Sequence, residues 1–409
     1  MRILLISQYF FPETGATSNR VYSLAKKFQE EGHDVRVIAE KSNHPKGVFF
    51  EGFEDGFFID QQYNGIPVTY SWVYTRPEKS FFGRILFYVT FMLSAVAAAL
   101  RIKGKFDIVC ASSPPLFVGI SGWIVALFKK ARFVFDVRDL WPEVAVKMGE
   151  LNDKIAITIA EKVEYFLYNK ADLITVVTKS FKKSISQKGI SENKINIVTN
   201  GTDPVLFYHD EGKRTLRSKL GLNNSFLVSY IGNIGLAQGL DHIINGACLI
   251  QEKDLNTISF LIVGDGPKKN ELKHEVKEKN ITNITFIDRV ALNKAIEYMN
   301  ASDVLLVPLA DDPIYSQFIP SKLFDSMAAA KPILLSVNGE SKSILEKAEA
   351  GVYYEAENEQ QLVEAIIWLK EHTEEAEIMA ENGRTFVKNN YSRDAQAQHM
   401  LNSFKKISF

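Results

Sequence analysis

Short apolar runs alternate with helical periodicity along the whole chain, and this alternation constrains the fold more than any other feature. In the first half the runs lie at 2–7 (RILLIS), 34–39 (DVRVIA), 66–71, 106–111, 132–137, 172–177 and 195–199. In the second half they lie at 226–232 (FLVSYIG), 258–263, 283–287, 303–307 and 332–336. Segments such as Ser18 to Glu31 and Ile155 to Lys170 carry the helical period between them. Runs that are apolar throughout, rather than at every second position, belong to strands covered on both faces, as in parallel sheets. Two successive arrays of this kind predict two doubly wound α/β domains. The charged, glycine-containing stretch 209–224 (HDEGKRTLRSKLGLNN) separates them. The expected division is a first domain over 1–205, a second over 206–390, and a helical tail over 391–409 that returns to the first.

The totals fit this reading. A chain of 409 residues is too long for one ordinary core. Basic and acidic residues number 48 and 49, so no global field points to nucleic acid. Two cysteines, Cys110 and Cys248, rule out a disulfide framework and fit a reducing, cytoplasmic setting. The longest apolar run, Ile85 to Leu100, has 16 residues between Arg84 and Arg101 and falls short of the roughly 18 or more expected of a membrane span.

In open α/β sheets ligands bind beyond the carboxyl ends of the strands, so the residues there are the candidates. After the first run, Glu13 precedes Gly15 and Ala16 at a helix start; the pair reads either as a tight turn or as a loop admitting a ligand to backbone N–H groups. After the fifth run comes DVRDLWPE, with Arg138, Asp139, Trp141 and Glu143. An Asp-capped helix start with a local Arg–Asp pair is one reading. A pair that orients a reacting sugar or phosphate is the other, favoured because Trp141 has no purpose in a plain cap.

The second domain opens with YIGNIGLAQGL, where Gly232, Gly235 and Gly239 surround a strand-to-helix turn and Asn233 and Gln238 offer side-chain donors. Gly264 and Asp265 follow the next run, with Asp265 a possible helix cap, and Asp288 and Arg289 follow the one after. Finally, FIPSKLFDSMAAAKP places Pro320 at a first helical position, Ser321 and Lys322 in the first turn, and Asp325 on the same face three residues on. Free helix N–H groups beside Lys322 suit a diphosphate, and Asp325 suits ribose hydroxyls.

In this order the motifs resemble the GT4 family of retaining, nucleotide-sugar-dependent glycosyltransferases. SLAKKFQEEGHDVRVIA, VTNGTDPVLF, VGDGP and LFDSMAAAKPIL carry the resemblance nearly end to end. DVRDLWPE, GNIGLAQGL and PSKLFDSMAAAKP resemble the branch that assembles bacterial surface polysaccharides and includes fucosamine and N-acetylfucosamine transferases. The resemblance implies a GT-B fold: two Rossmann-like doubly wound domains facing a cleft, the first holding the acceptor and the second a nucleotide sugar, expected to be UDP-linked. The family's pyrophosphate-binding Arg and Lys are replaced here by Asn233 and Gln238, and its paired glutamates by Gln317 and Asp325. That leaves Lys322 as the cation for the diphosphate. The family's catalytic-centre His falls within VRDL, at either Arg138 or Asp139.

No metal motif is evident, and metal-independent transfer is expected. Around the Ile85–Leu100 run, Arg76, Lys79, Arg84, Arg101, Lys103 and Lys105 would suit an anionic membrane surface and a polyprenyl-diphosphate-linked or saccharide acceptor. A buried core helix accounts for the same composition. Membrane contact, if present, places the enzyme at the inner face of the cell membrane. The competing functions are a non-hydrolysing UDP-sugar 2-epimerase and an inactive nucleotide-sugar-binding subunit.

Overall fold

The computed structural model describes the chain apart from residues 14, 44–46, 78–80, 148, 150, 209–212 and 409, and the side chains of 81 and 213–215. Lys79 and part of the 209–224 stretch therefore lie outside the described residues. The chain forms two compact units, Met1–Asn200 with Arg393–Phe409, and Gly201–Ser392. The first break falls a few residues before 205. Thr202 pairs with Ser392 in an isolated bridge and its N–H donates to the Tyr391 carbonyl, which fastens the NGTD segment to the second unit.

The first unit is built on eight strands: β1 Arg2–Ser7, β2 Asp34–Glu40, β3 Phe58–Tyr63, β4 Ile66–Ser71, β5 Ile108–Ser113, β6 Arg132–Val137, β7 Leu173–Val176 and β8 Ile195–Ile197. Their order is β3-β4-β2-β1-β5-β6-β7-β8. Every pairing is parallel except β3 with β4. The sequence did not disclose β3, because FIDQQY is a polar, largely exposed edge strand with no apolar run. The Asn64-Gly65 turn, with φ of 48° and 82°, joins two strands that pair from Tyr63↔Ile66 onward.

Among the described residues five helices precede β7: α1 Ala16–Glu30, α2 Phe81–Arg101, α3 Phe117–Lys129, α4 Glu143–Lys147 and α5 Lys154–Lys170. The C-terminal helix, Arg393–Ile407, buries Ala397, Met400, Leu401 and Phe404 in the same core as Leu24 and Phe28 of α1. That i, i+3, i+4, i+7 spacing is one helical face.

Helix α2 corrects the length read from sequence. It runs 21 residues, and by length and composition it is apolar enough to cross a membrane. Phe87, Phe91, Ala95, Ala98 and Ala99 are buried, while Phe82, Leu86, Leu93 and Leu100 are exposed. One face is core and the opposite face is apolar surface, so the buried-core reading describes one side of the helix.

The second unit holds β9 Phe226–Ile231, β10 Ile258–Val263, β11 Ile284–Ile287, β12 Val304–Val307, β13 Ile333–Leu335 and β14 Gly351–Tyr353. Its order is β11-β10-β9-β12-β13-β14, all parallel. The three-residue β14 is too short to read from an apolar run. In each unit the first strand is central and the chain winds away in both directions, so the order reverses between β1 and β5 and between β9 and β12. Crevices form at such points.

A buried ion pair fixes the start of α1 against the first of these. Arg20 donates to Asp136 at 2.9 Å and to the carbonyls of Val198 and Thr199, while Ser112 and Thr175 donate to the same carboxylate. Asp136 is fully buried; burial raises its pKa, yet the Arg20 guanidinium holds it below the usual carboxylate range. Arg20→Met should cost about 3–5 kcal/mol, because Asp136 is left charged and unpaired. Since the folded pKa is depressed, the pair's contribution is complete above the unfolded pKa near 4 and fades as pH falls through the folded value. Urea unfolding of both proteins at neutral pH and at low pH checks it: the gap between them should be wide at neutral pH and shrink in acid.

Candidate functional site

The second unit places its charges where β9 and β12 part. Tyr230, the penultimate residue of β9, is fully buried, and its hydroxyl donates to the Asn233 carbonyl. Lys322, in the first turn of the helix Ser321–Ala328, donates from Nζ to that hydroxyl at 2.6 Å and lies over the ring, 4.5 Å from its centre. Burial pulls Lys322 down to about 8, with Asp325 acting in the opposite direction. The lysine stem crosses the backbone of Gly232, where φ is +154° and a Cβ would overlap Lys322 Cε. Gly232 is glycine because L side chains rarely adopt that φ, and a Cβ would also displace the Lys322 stem. No side chain caps the helix, and Pro320 is its N-cap rather than its first helical residue. Its leading N–H groups adjoin the lysine, which suits negative charge.

The glycine loops work differently from the sequence reading. The N–H groups of Gly232, Ile234 and Gly235 are already donated, to Val263 O, Asp265 O and Gln238 Oε1. Gln238 thus acts through its carbonyl to close the loop. At Gly264, where φ is +153°, a Cβ would overlap the Gly232 carbonyl. Close packing of the two loops explains these glycines. Asp265 does not cap a helix: it accepts from the adjacent Gly266 N–H, and the next helix begins at Lys269.

Gly232, Asn233, Gly264, Asp265 and Arg289 nevertheless converge, lining one cavity of about 320 Å³ beyond β9, β10 and β11. Arg289 is exposed at its edge. The buried Lys269, which the sequence reading missed, ties the strand ends together by donating to the Gly264 carbonyl and Asp288. Asp325 shares the Lys322 face but accepts from the Thr202 hydroxyl at 2.7 Å, so one carboxylate oxygen already has a partner. Gln317 ends the short 3-10 helix Pro313–Gln317, just ahead of Pro320; neither it nor Ser321 lines the cavity.

In the first unit the residues after β6 meet the start of α1. Arg138 donates from Nε to Ser112 and from Nη1 to Thr17, at 3.0 and 2.8 Å. Its Nη2 is buried without a hydrogen-bond partner among the described residues. Burial raises Asp139 to about 6, with Arg138 pulling the other way. Gly15 and Ala16 are exposed at the uncapped start of α1. Glu13 is buried and accepts from the Asn43 N–H, a structural task. Arg101 pairs with Asp60 at 3.4 Å. Trp141 and Arg84 line an apolar cavity. Among the described residues no group of three or more His, Cys, Asp or Glu is placed to hold a metal.

Residues 15–201 match the family described as a glycosyl transferase 4-like domain, and residues 212–386 the family described as glycosyl transferases group 1. The chain is 23% identical over 336 residues to WcaI of Escherichia coli, named for glycosyl transfer in colanic acid biosynthesis, with 80% of this chain and 81% of that protein covered. Sucrose-phosphate synthase from Thermosynechococcus elongatus superposes with a TM-score of 0.77 at 17% identity, over 99% of this chain and 98% of the other. HepE of Anabaena, solved in complex with UDP-glucose, superposes with a TM-score of 0.74 at 17% identity, over 99% and 100%. These likenesses identify the fold as GT-B.

The lysine environment can be tested without any ligand. The ¹³Cε resonance of Lys322 should titrate with a midpoint near 8. A midpoint at the ordinary lysine value, near 10.4, would show that the side chain is solvated and the burial described here is wrong.

Proposed function

Because the chain is a glycosyltransferase, with a 4-like domain followed by a group 1 domain, we propose that it moves a sugar from a UDP-linked donor to a saccharide or lipid-linked acceptor in bacterial surface-polysaccharide assembly, retaining the anomeric configuration. The second unit takes the donor and the first the acceptor. The observation that carries this reading is Lys322 held by Tyr230 at an uncapped helix start, beside the cavity lined by Gly232, Asn233 and Arg289. A UDP-glucose complex of a protein with the same fold supports the donor class.

When the sugar leaves, negative charge grows on the diphosphate, and donors already in place stabilise it without reorganisation. Lys322, with its pKa near 8, is largely charged at neutral pH, and the helix N–H groups add their partial charge. Arg289 and Asp325 are the groups for the base and ribose. In the first unit Asp139, raised to about 6, is matched to take up a proton near neutral pH. Arg138, whose Nη2 has no partner among the described residues, is the group for the acceptor's polar atoms. The polysaccharide branch resemblance makes N-acetylated deoxyhexosamines the first sugars to try.

The test is a transfer assay with a panel of UDP-sugars in excess EDTA, with NMR of the product. We expect UDP release and a product whose anomeric configuration matches the donor's, undiminished by EDTA. An inverted product removes retention, and activity restored only by Mg²⁺ or Mn²⁺ removes metal independence. Epimerised donor without transfer removes the transferase reading.

A further inference from the structure

A second cavity of the first unit, about 630 Å³, lies between the C-terminal end of α2 and the β3–β4 hairpin. That volume is within the roughly 300–1,000 Å³ of small-molecule sites. The cavity is at the opposite end of the sheet from the candidate acceptor groups. Arg2, which lines it, opens β1, whereas Arg138 and Thr17 meet beyond the carboxyl ends of β6 and β1. The six residues of β1, roughly 17 Å of strand, separate the two.

The wall is basic. Arg2, Arg36, Arg101 and Lys103 line it, against Asp60 as the one acid among the described lining residues. Two of the cations are held in place. Arg2 pairs with Asp34 at 2.9 Å, donates to the Lys103 carbonyl and lies over the Phe106 ring. Arg101 pairs with Asp60 and lies over the Phe58 ring. Arg36 and Lys103, in contrast, have no ion-pair partner among the described residues. Arg36 Nε is buried and has no hydrogen-bond partner there either. Side chains alternate across a strand, so Arg36 points away from the core that holds Val35 and Val37, toward α2. A half-buried guanidinium with an unsatisfied donor costs free energy unless something polar arrives to meet it.

The remaining polar groups narrow the ligand. Gln61 and Gln62 present side-chain amides with no hydrogen bond among the described residues. An edge strand is kept polar to deter pairing, but that purpose does not call for an unpaired arginine behind it. Amides offer donors and acceptors together, which suits hydroxyls, while cations suit a phosphate or carboxylate. No aromatic ring is among the described lining residues, so a nucleobase has nothing to stack on. Val68 and Ala98 give the C–H face of a sugar ring an apolar floor.

We infer that this cavity binds an anionic saccharide, a sugar bearing a phosphate or a carboxylate, at a site separate from those for donor and acceptor. The anionic group lies at Arg36 and Lys103, and the hydroxyls at Gln61 and Gln62. The inference stands on the cavity alone and does not depend on the transferase reading.

Calorimetric titration of the full chain with glucose 6-phosphate, glucuronic acid, glucose and inorganic phosphate tests it. At least one of the two anionic sugars should bind with a Kd of about 1 mM or tighter, more tightly than glucose or phosphate, and equally well in saturating UDP. Tighter glucose 6-phosphate assigns the site to a free sugar phosphate, and tighter glucuronic acid to an acidic residue of a polysaccharide. Lys103→Glu, at an exposed position, and Arg36→Gln should each weaken that binding about tenfold or more, with the thermal midpoint of Lys103→Glu and its UDP affinity unchanged. Lys103→Glu carries the test if Arg36→Gln fails to fold. No binding of either anionic sugar overturns the inference, including the case where the protein still co-sediments with phosphatidylglycerol vesicles. Equal affinity in the variants, or displacement by UDP, overturns it by placing the sugar elsewhere. Inorganic phosphate bound as tightly as the sugars overturns the saccharide assignment.

Discussion

A strand paired in parallel on both edges can be reached only by crossovers, and both units start from such a strand. Once β1 and β9 are central and the chain winds away in both directions, the loops after them diverge and leave crevices at their carboxyl ends. The candidate groups follow from that constraint. Lys322 comes from the helix after β12 and meets Tyr230 of β9. Arg138 comes from the end of β6 and meets Thr17 at the start of α1, after β1. Chemistry-bearing residues far apart in sequence are brought together by topology, with hydrogen bonds fixing their final positions.

In the second unit, positive charge is supplied by few groups in a tight setting. The glycine loop's N–H groups are mostly occupied by neighbouring carbonyls and Gln238, so the loop serves chiefly as a floor over which Lys322 passes. A lysine held against a buried tyrosine loses hydration and part of its basicity. An anion arriving there would raise that basicity again and gain a donor that needs no reorganisation. The first unit has a parallel arrangement, in which the Arg20–Asp136 pair holds α1 and Arg138 retains a donor without a partner among the described residues.

Much of this was legible in the sequence because parallel strands announce themselves as unbroken apolar runs. The exceptions have physical reasons. The edge strand β3 is polar, and β14 has only three residues. Lys322 stood out as a cation opening a packed helix, whereas Tyr230 was concealed within an apolar run and showed its role only through its hydroxyl. The Arg20–Asp136 pair joins residues 116 positions apart, which no local pattern reports. Gly264 reads as a ligand-loop glycine in sequence, yet the adjacent Gly232 carbonyl accounts for it. Helix α2 was ambiguous because its two faces face different surroundings.

The central claim is that Lys322, set by Tyr230 across Gly232, holds the donor's diphosphate. Calorimetric UDP affinity of Lys322→Ala against the unaltered protein tests it most directly. A hydrogen bond to a charged partner is worth about 1.5–3 kcal/mol, so affinity should fall by roughly tenfold or more, with the unfolding midpoint little changed. UDP bound equally well by both proteins would contradict the account.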